Sequence, residues 1–164
     1  MQLKDWKEGF SNIVFLCVGT SSIVGDAIGP MVGTKLKTIE NDYLQVYGTL
    51  SENLNFNNAV EIIKNIYASY EKPYLITVDA ALSKHKKIGD IIIESGYIKL
   101  GKALEKNICF YSNANIKCVV GRYYNEKSEN LKELYNLKLE ESFKMANTVS
   151  QGIKNVLKKS NIYV

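Results

Sequence analysis

Residues 13–19 read Ile13-Val14-Phe15-Leu16-Cys17-Val18-Gly19, and residues 74–79 read Tyr74-Leu75-Ile76-Thr77-Val78-Asp79. Both are nearly unbroken apolar runs, rich in β-branched and aromatic side chains. A strand with one wet face alternates apolar and polar residues. A strand apolar on both faces belongs in a sheet covered on both sides, which is the habit of parallel sheets. These two runs therefore predict buried strands of a parallel sheet, the first ending at Gly19 and the second at Asp79.

Working outward, Gly19 to Gly25 is small and polar and reads as a loop. A helix follows, with Pro30 in its first turn, where a missing N–H costs nothing, and Met31, Leu36 and Ile39 on its buried side. Leu44 to Leu50 reads as a further strand. Asn57 or Asn58 is placed to cap a helix on which Ala59, Ile62, Ile63, Ile66, Tyr67 and Tyr70 recur at helical spacing, and Pro73 ends it. Beyond Asp79, a basic turn at Lys84-His85-Lys86-Lys87 leads to a strand at about Ile91 to Glu94. Another strand is expected from Ile116 to Val120. The polar stretch from Arg122 to Asn136 reads as loop. A final helix, Lys138 to Lys159, is predicted to put Leu139, Phe143, Ala146, Val149, Ile153, Val156 and Leu157 on one face.

Strand, helix, strand, helix, strand with right-handed crossovers gives an α/β fold: a doubly wound three-layer sandwich with a mostly parallel sheet. The 164 residues are read as one domain, 1–164, long enough to bury a core. The 46% hydrophobic content is that of a globular chain rather than a disordered one. A net charge of +4, with acids spread among the bases, lacks the dense basic stripe of a nucleic-acid binder, and the short lysine cluster reads as a solvated turn. Three cysteines, Cys17, Cys109 and Cys118, without a close pair, argue against a disulfide framework or structural zinc and for a reducing cytoplasm. Met1 to Phe10 lacks the apolar stretch of a signal peptide, and no run is long enough to span a bilayer.

In open parallel sheets, sites form beyond the carboxyl ends of the strands. Asp26 follows the first strand after a short loop, and Asp79 ends the third. Remote in sequence, both arrive at one edge if those strands are parallel neighbours. Each has a structural alternative: Asp26 as a helix cap, Asp79 as a turn cap. Two close carboxylates cannot both ionise cheaply, so one keeps a proton; such a pair can polarise water and protonate a leaving group, or it can hold a divalent cation. The Gly19–Gly25 loop fails the phosphate-loop pattern, since Asp26 stands where a lysine is needed, and no Gly-x-Gly-x-x-Gly occurs. His85 is the one histidine, its spacing pairs it with no cysteine nucleophile, and no Gly-x-Ser-x-Gly elbow is present.

Gly19-Thr20 followed by Gly25-Asp26-Ala27-Ile28-Gly29-Pro30-Met31-Val32-Gly33-Thr34-Lys35-Leu36 resembles the signature of the YyaC-type sporulation proteins. Val46 to Leu50 and Ile76 to Leu82 resemble that family's second and third strands. The family is similar to the germination protease, which degrades small acid-soluble spore proteins, and both resemble the hydrogenase-maturation endopeptidases in fold. The resemblance implies a peptidase of an atypical aspartic type. Asp26 and Asp79 would be its catalytic pair, with Gly19, Thr20, Gly25 and Gly29 at the substrate. It implies a protein or peptide substrate in a sporulating cell or spore, with no cofactor, no membrane and no direct nucleic-acid contact; a homo-oligomer is left open. The alternatives are a metal-dependent maturation-type endopeptidase holding a divalent ion through Asp26, Asp79 and His85, and a non-catalytic binding or regulatory protein. Ser21-Ser22 stand where the family loop often has Asp-Arg, and Arg122-Tyr123-Tyr124-Asn125 is more polar than its relatives.

Overall fold

A computed structural model describes residues 9–100 and 108–160; most of the N-terminal stretch read for a signal peptide lies outside these residues. The chain runs β1 (Asn12–Cys17), a short 3₁₀ turn (Val24–Asp26), α1 (Ile28–Lys37), β2 (Leu44–Tyr47), α2 (Ala59–Ser69), β3 (Pro73–Ser83), β4 (Ile91–Leu100), β5 (Ile108–Arg122), α3 (Lys127–Asn136) and α4 (Leu139–Lys159). The five-stranded sheet has the order β2-β1-β3-β5-β4. β1 pairs in parallel with both β2 and β3, β3 in parallel with β5, and β4 runs antiparallel on the edge. The α/β architecture with a mostly parallel sheet is as expected.

Every residue of β1 is buried, because the sheet is covered on both faces. Ile13, Phe15 and Cys17 pack with Met31, Val32 and Leu36 of α1 and Met145, Ala146, Val149 and Leu157 of α4. Val14 and Leu16 face the other way, onto Leu54 and onto Ala59 and Ile66 of α2. Burying each such large side chain stabilises the fold by about 1.5–3 kcal/mol before entropy is charged. α1 lies close on the sheet because Gly29 has no side chain: a Cβ there would sit 2.0 Å from the Val18 carbonyl oxygen.

Several expectations are corrected. β3 does not stop at Asp79; it continues to Ser83, because β5 goes on pairing with it as far as Ser83 opposite Arg122. The stretch 122–136 is not all loop: Lys127–Asn136 forms α3. That helix has no fully buried residue, yet it packs on β5 and on the 3₁₀ turn. β5 begins at Ile108, well before Ile116. Its polar residues serve β3, since Asn113 accepts the Leu75 N–H at 2.8 Å and Asn115 accepts the Thr77 hydroxyl at 2.6 Å. Asn58 precedes α2 without capping it; its side chain bonds Asn53 and Asn55 instead. On α4, Leu139, Phe143 and Val156 are exposed, and Ser142, Met145 and Ser150 take the buried face with Ala146, Val149 and Leu157. Among the described residues no helix is long and apolar enough to cross a membrane.

Candidate active site

β1 and β3 run side by side as far as Cys17 opposite Val78, and the Val18 N–H donates to the Val78 carbonyl at 2.8 Å. Asp79 is thus the first β3 residue beyond the end of the β1 pairing. On one side its strand has lost a neighbour; on the other it still pairs with Lys117 of β5. Above that gap lies the 3₁₀ turn carrying Asp26, which packs against β3. Topology brings the two aspartates to one edge, as the sequence predicted.

The turn is aimed by the loop after β1. Gly19 takes φ +142°, a conformation open to glycine, and its N–H donates to the Leu54 carbonyl at 2.9 Å. The chain then doubles back so that the Thr20 N–H donates to Asp26 Oδ2 at 2.8 Å. Asn53 braces this loop from outside. Its Oδ1 accepts from the Ser21 N–H at 2.9 Å, the Ser21 hydroxyl at 3.1 Å and the Thr20 hydroxyl at 3.3 Å, while its Nδ2 donates to the Thr49 carbonyl at 2.8 Å. Asp26 therefore meets the loop rather than capping α1, whose N-cap position is Ala27, without a side-chain bond.

The two carboxyls are tuned differently. Burial raises Asp26 above the ordinary carboxylate range, and the Thr20 N–H pulls it back by favouring the ionised form. Asp79 is pushed up to about 7, first by burial and then by the negative charge of Asp26; the Ala80 N–H and Lys117 oppose this only in part. Lys117 also pairs with Glu94, which divides its influence. Near neutral pH a proton is therefore held more readily by Asp79 than by Asp26. Beneath it, Cys118 is raised to about 12 by burial and by the charge of Asp79, and burial raises Cys17 as well, so neither thiol is a ready nucleophile.

The remaining expected site residues divide. Gly19 and Thr20 line the loop beside Asp26. Gly25 and Gly29 are buried and taken up by packing, since a Cβ on Gly25 would lie 2.7 Å from the Leu134 carbonyl oxygen of α3. His85 is exposed on the connection after β3, and the structure does not bring it to the aspartates. Among the described residues no group of three histidine, cysteine or acidic side chains is placed to hold a metal ion, so the donor set Asp26, Asp79 and His85 does not fit one. Asn53 is the participant that sequence reasoning missed; an asparagine in a Ser-Glu-Asn turn carries no pattern that sets it apart.

A family model described as a protein of unknown function (DUF1256) matches residues 2–152. A Bacillus subtilis (strain 168) protein, described as uncharacterized protein YyaC, is 32% identical over 146 residues, which span 86% of this chain and 67% of the relative. Among solved structures, the NiFe hydrogenase maturation protease HycI from Thermococcus kodakarensis KOD1 superposes with a TM-score of 0.61 at 20% identity, covering 95% of this chain and 98% of that one. The hydrogenase maturating endopeptidase HybD from E. coli gives 0.50 at 14% identity, covering 91% and 93%. At such identities the likeness establishes the fold.

Proposed function

The chain belongs to the DUF1256 family, and within that family we propose that it is a peptidase whose chemistry is carried by Asp26 and Asp79. The observation that carries this reading is the split of the pair: burial and the charge of Asp26 keep a proton on Asp79 up to about 7, while the Thr20 N–H favours Asp26 as the carboxylate. One group is then a base and the other an acid at the same pH. The maturation-protease fold supports peptide hydrolysis as the reaction class.

In the proposed cycle, Asp26 takes a proton from a water molecule as its oxygen attacks the peptide carbonyl carbon, and Asp79 gives its proton to the carbonyl oxygen. A neutral gem-diol results. The proton on Asp26 then passes to the amide nitrogen as the C–N bond breaks, and a diol hydroxyl returns its proton to Asp79. Both carboxyls end as they began, and no cofactor is used. The resemblance of residues 25–36 to YyaC-type sporulation proteins supports a spore setting, with small acid-soluble spore proteins as the substrate class.

Purified protein incubated with spore-protein extract or an unstructured peptide should release fragments, with or without a chelator. Asp26→Asn and Asp79→Asn should both be inactive while remaining folded. Full cleavage by both variants would remove the pair from the mechanism, and loss of cleavage on chelation would replace it with a metal.

A further inference from the structure

Beyond Asp79, β3 and β5 run in parallel to a common end, where Ser83 stands opposite Arg122. A cavity of about 390 Å³ opens there, lined by Lys84, His85, Arg122, Tyr123, Tyr124 and Asn125. It lies on the same carboxyl edge as the aspartates. Asp79 and Ser83 are separated along the strand by on the order of 13 Å, at about 3.3 Å per residue.

The cations here are held in place without being neutralised. The Lys84 ammonium lies 5.2 Å from the centre of the Tyr123 ring and donates to Asn125 Oδ1 at 3.2 Å. The Arg122 guanidinium lies 5.8 Å from the centre of the Tyr124 ring. A ring face and an amide oxygen orient a cation while leaving its full charge for a further partner. Lys86 and Lys87 stand exposed on the same connection. Among the described residues, ion pairs form at Lys37, Lys117, Lys132 and Lys144, and none involves Lys84, Lys86, Lys87 or Arg122. Two of the nearby acids are engaged with backbone: Glu133 accepts the Arg122 N–H at 2.7 Å, and Asp90 accepts the Lys87 N–H at 3.0 Å. The loop that holds the tyrosines is itself fixed, since Asn130 accepts the Tyr124 N–H at 2.7 Å and donates to the Tyr124 carbonyl at 2.9 Å.

We propose that this cavity is a subsite for carboxylate side chains of the substrate, so that the preferred peptide carries an acidic run a few residues from the bond that is cut. The assignment rests on the peptidase reading above. An extended peptide laid across Asp79 covers that distance in about four residues. A nucleic acid would need a basic track that continues, whereas Asp90 and Glu126 follow the basic residues along the chain on either side.

The test measures binding to the Asp79→Asn protein by fluorescence anisotropy at low salt. The probes are a short labelled peptide with a run of glutamates, its glutamine twin, its lysine twin and an oligothymidylate of equal length. The glutamate peptide should bind roughly tenfold more tightly than the glutamine twin. The Lys84→Gln/Arg122→Gln protein should lose that preference, and the Lys84→Glu/Arg122→Glu protein should prefer the lysine twin, a gain that misfolding cannot produce. Equal binding of the glutamate and glutamine peptides, a preference untouched by the variants, or tighter binding of the oligothymidylate would overturn the proposal. Wild-type cleavage of both peptides is measured alongside. Selective binding without any cleavage defeats the peptidase reading and leaves the acidic-peptide surface standing; cleavage without preference defeats the subsite alone.

Discussion

Asp26 sits on a turn that hydrogen bonds brace from outside, whereas Asp79 sits inside a strand whose surroundings offer its charge little. The loop of Thr20 and Ser21, clamped by Asn53, presents a backbone N–H to Asp26. Around Asp79 the main effects are burial and the charge of its partner. Burial raises both carboxyls, and the rise is larger at Asp79, where the charge of Asp26 adds to it. A braced loop can aim an N–H at a carboxylate, while a strand interior chiefly removes water. The contrast teaches that acid and base need not be different residue types, provided that one is set on a turn and the other in the sheet.

The largest effect should come from erasing the contrast. Either Asp26→Asn or Asp79→Asn is expected to lower peptide cleavage by about 10³-fold, within the range of lost acid–base catalysis, with KM nearly unchanged. Steady-state kinetics on an unstructured peptide read this, and a fall confined to KM would mean that the carboxyls only bind. In the wild type, activity should decline as pH rises through about 7, because the acid form of Asp79 is then lost.

Stability should answer next. In the native state Asp79 holds its proton up to about 7, while in the unfolded chain it lets go near about 4. The native state therefore binds the extra proton between those values. Stability is full below the lower value and falls as pH climbs through the upper one. Asp79→Asn removes the buried charge. It should stabilise the protein by about 1–3 kcal/mol at pH 8 and by little at pH 4, as urea unfolding at the two pH values would show. Stabilisation of equal size at both would contradict a raised carboxyl.

Asn53→Ala leaves both aspartates in place and loosens only the bracing. Cleavage should fall by about tenfold, and the acidic limb assigned to Asp26 should shift upward as its Thr20 N–H becomes less well aimed. A purely structural Asn53 would lower the unfolding midpoint without moving that limb of the pH profile. Ser21→Ala is the smallest change. The Ser21 N–H still reaches Asn53, so stability should stay within about 0.5 kcal/mol and the pH profile should not move.

The two regions also differ in how legible they are from the chain. β1 and the first half of β3 are apolar on both faces, and that alone announces a covered parallel sheet and puts Asp26 and Asp79 on its carboxyl edge. α3 gives no such sign. Leu131 and Leu134 are only partly buried, and the helix leans on Gly25 and Gly121 while Leu134 reaches the main core. The early part of β5 hides for a related reason: Asn113 and Asn115 look like loop residues but satisfy the backbone and a hydroxyl of β3. On α4 the period is correct, while Leu139, Phe143 and Val156 fall on its flanks and are exposed among the described residues. The clamp by Asn53 comes from a tertiary contact across a long loop, which no local pattern encodes.

Carbon-detected NMR of the aspartate side chains, followed from pH 3 to pH 9 in wild type and in Asp26→Asn, tests the shared proton most directly. The Asp79 carboxyl should titrate near about 7 in the wild type and lower once the charge of Asp26 is gone, with Asp26 itself titrating below its partner. If Asp79 titrates near about 4 in both proteins, the two side chains do not hold a proton between them.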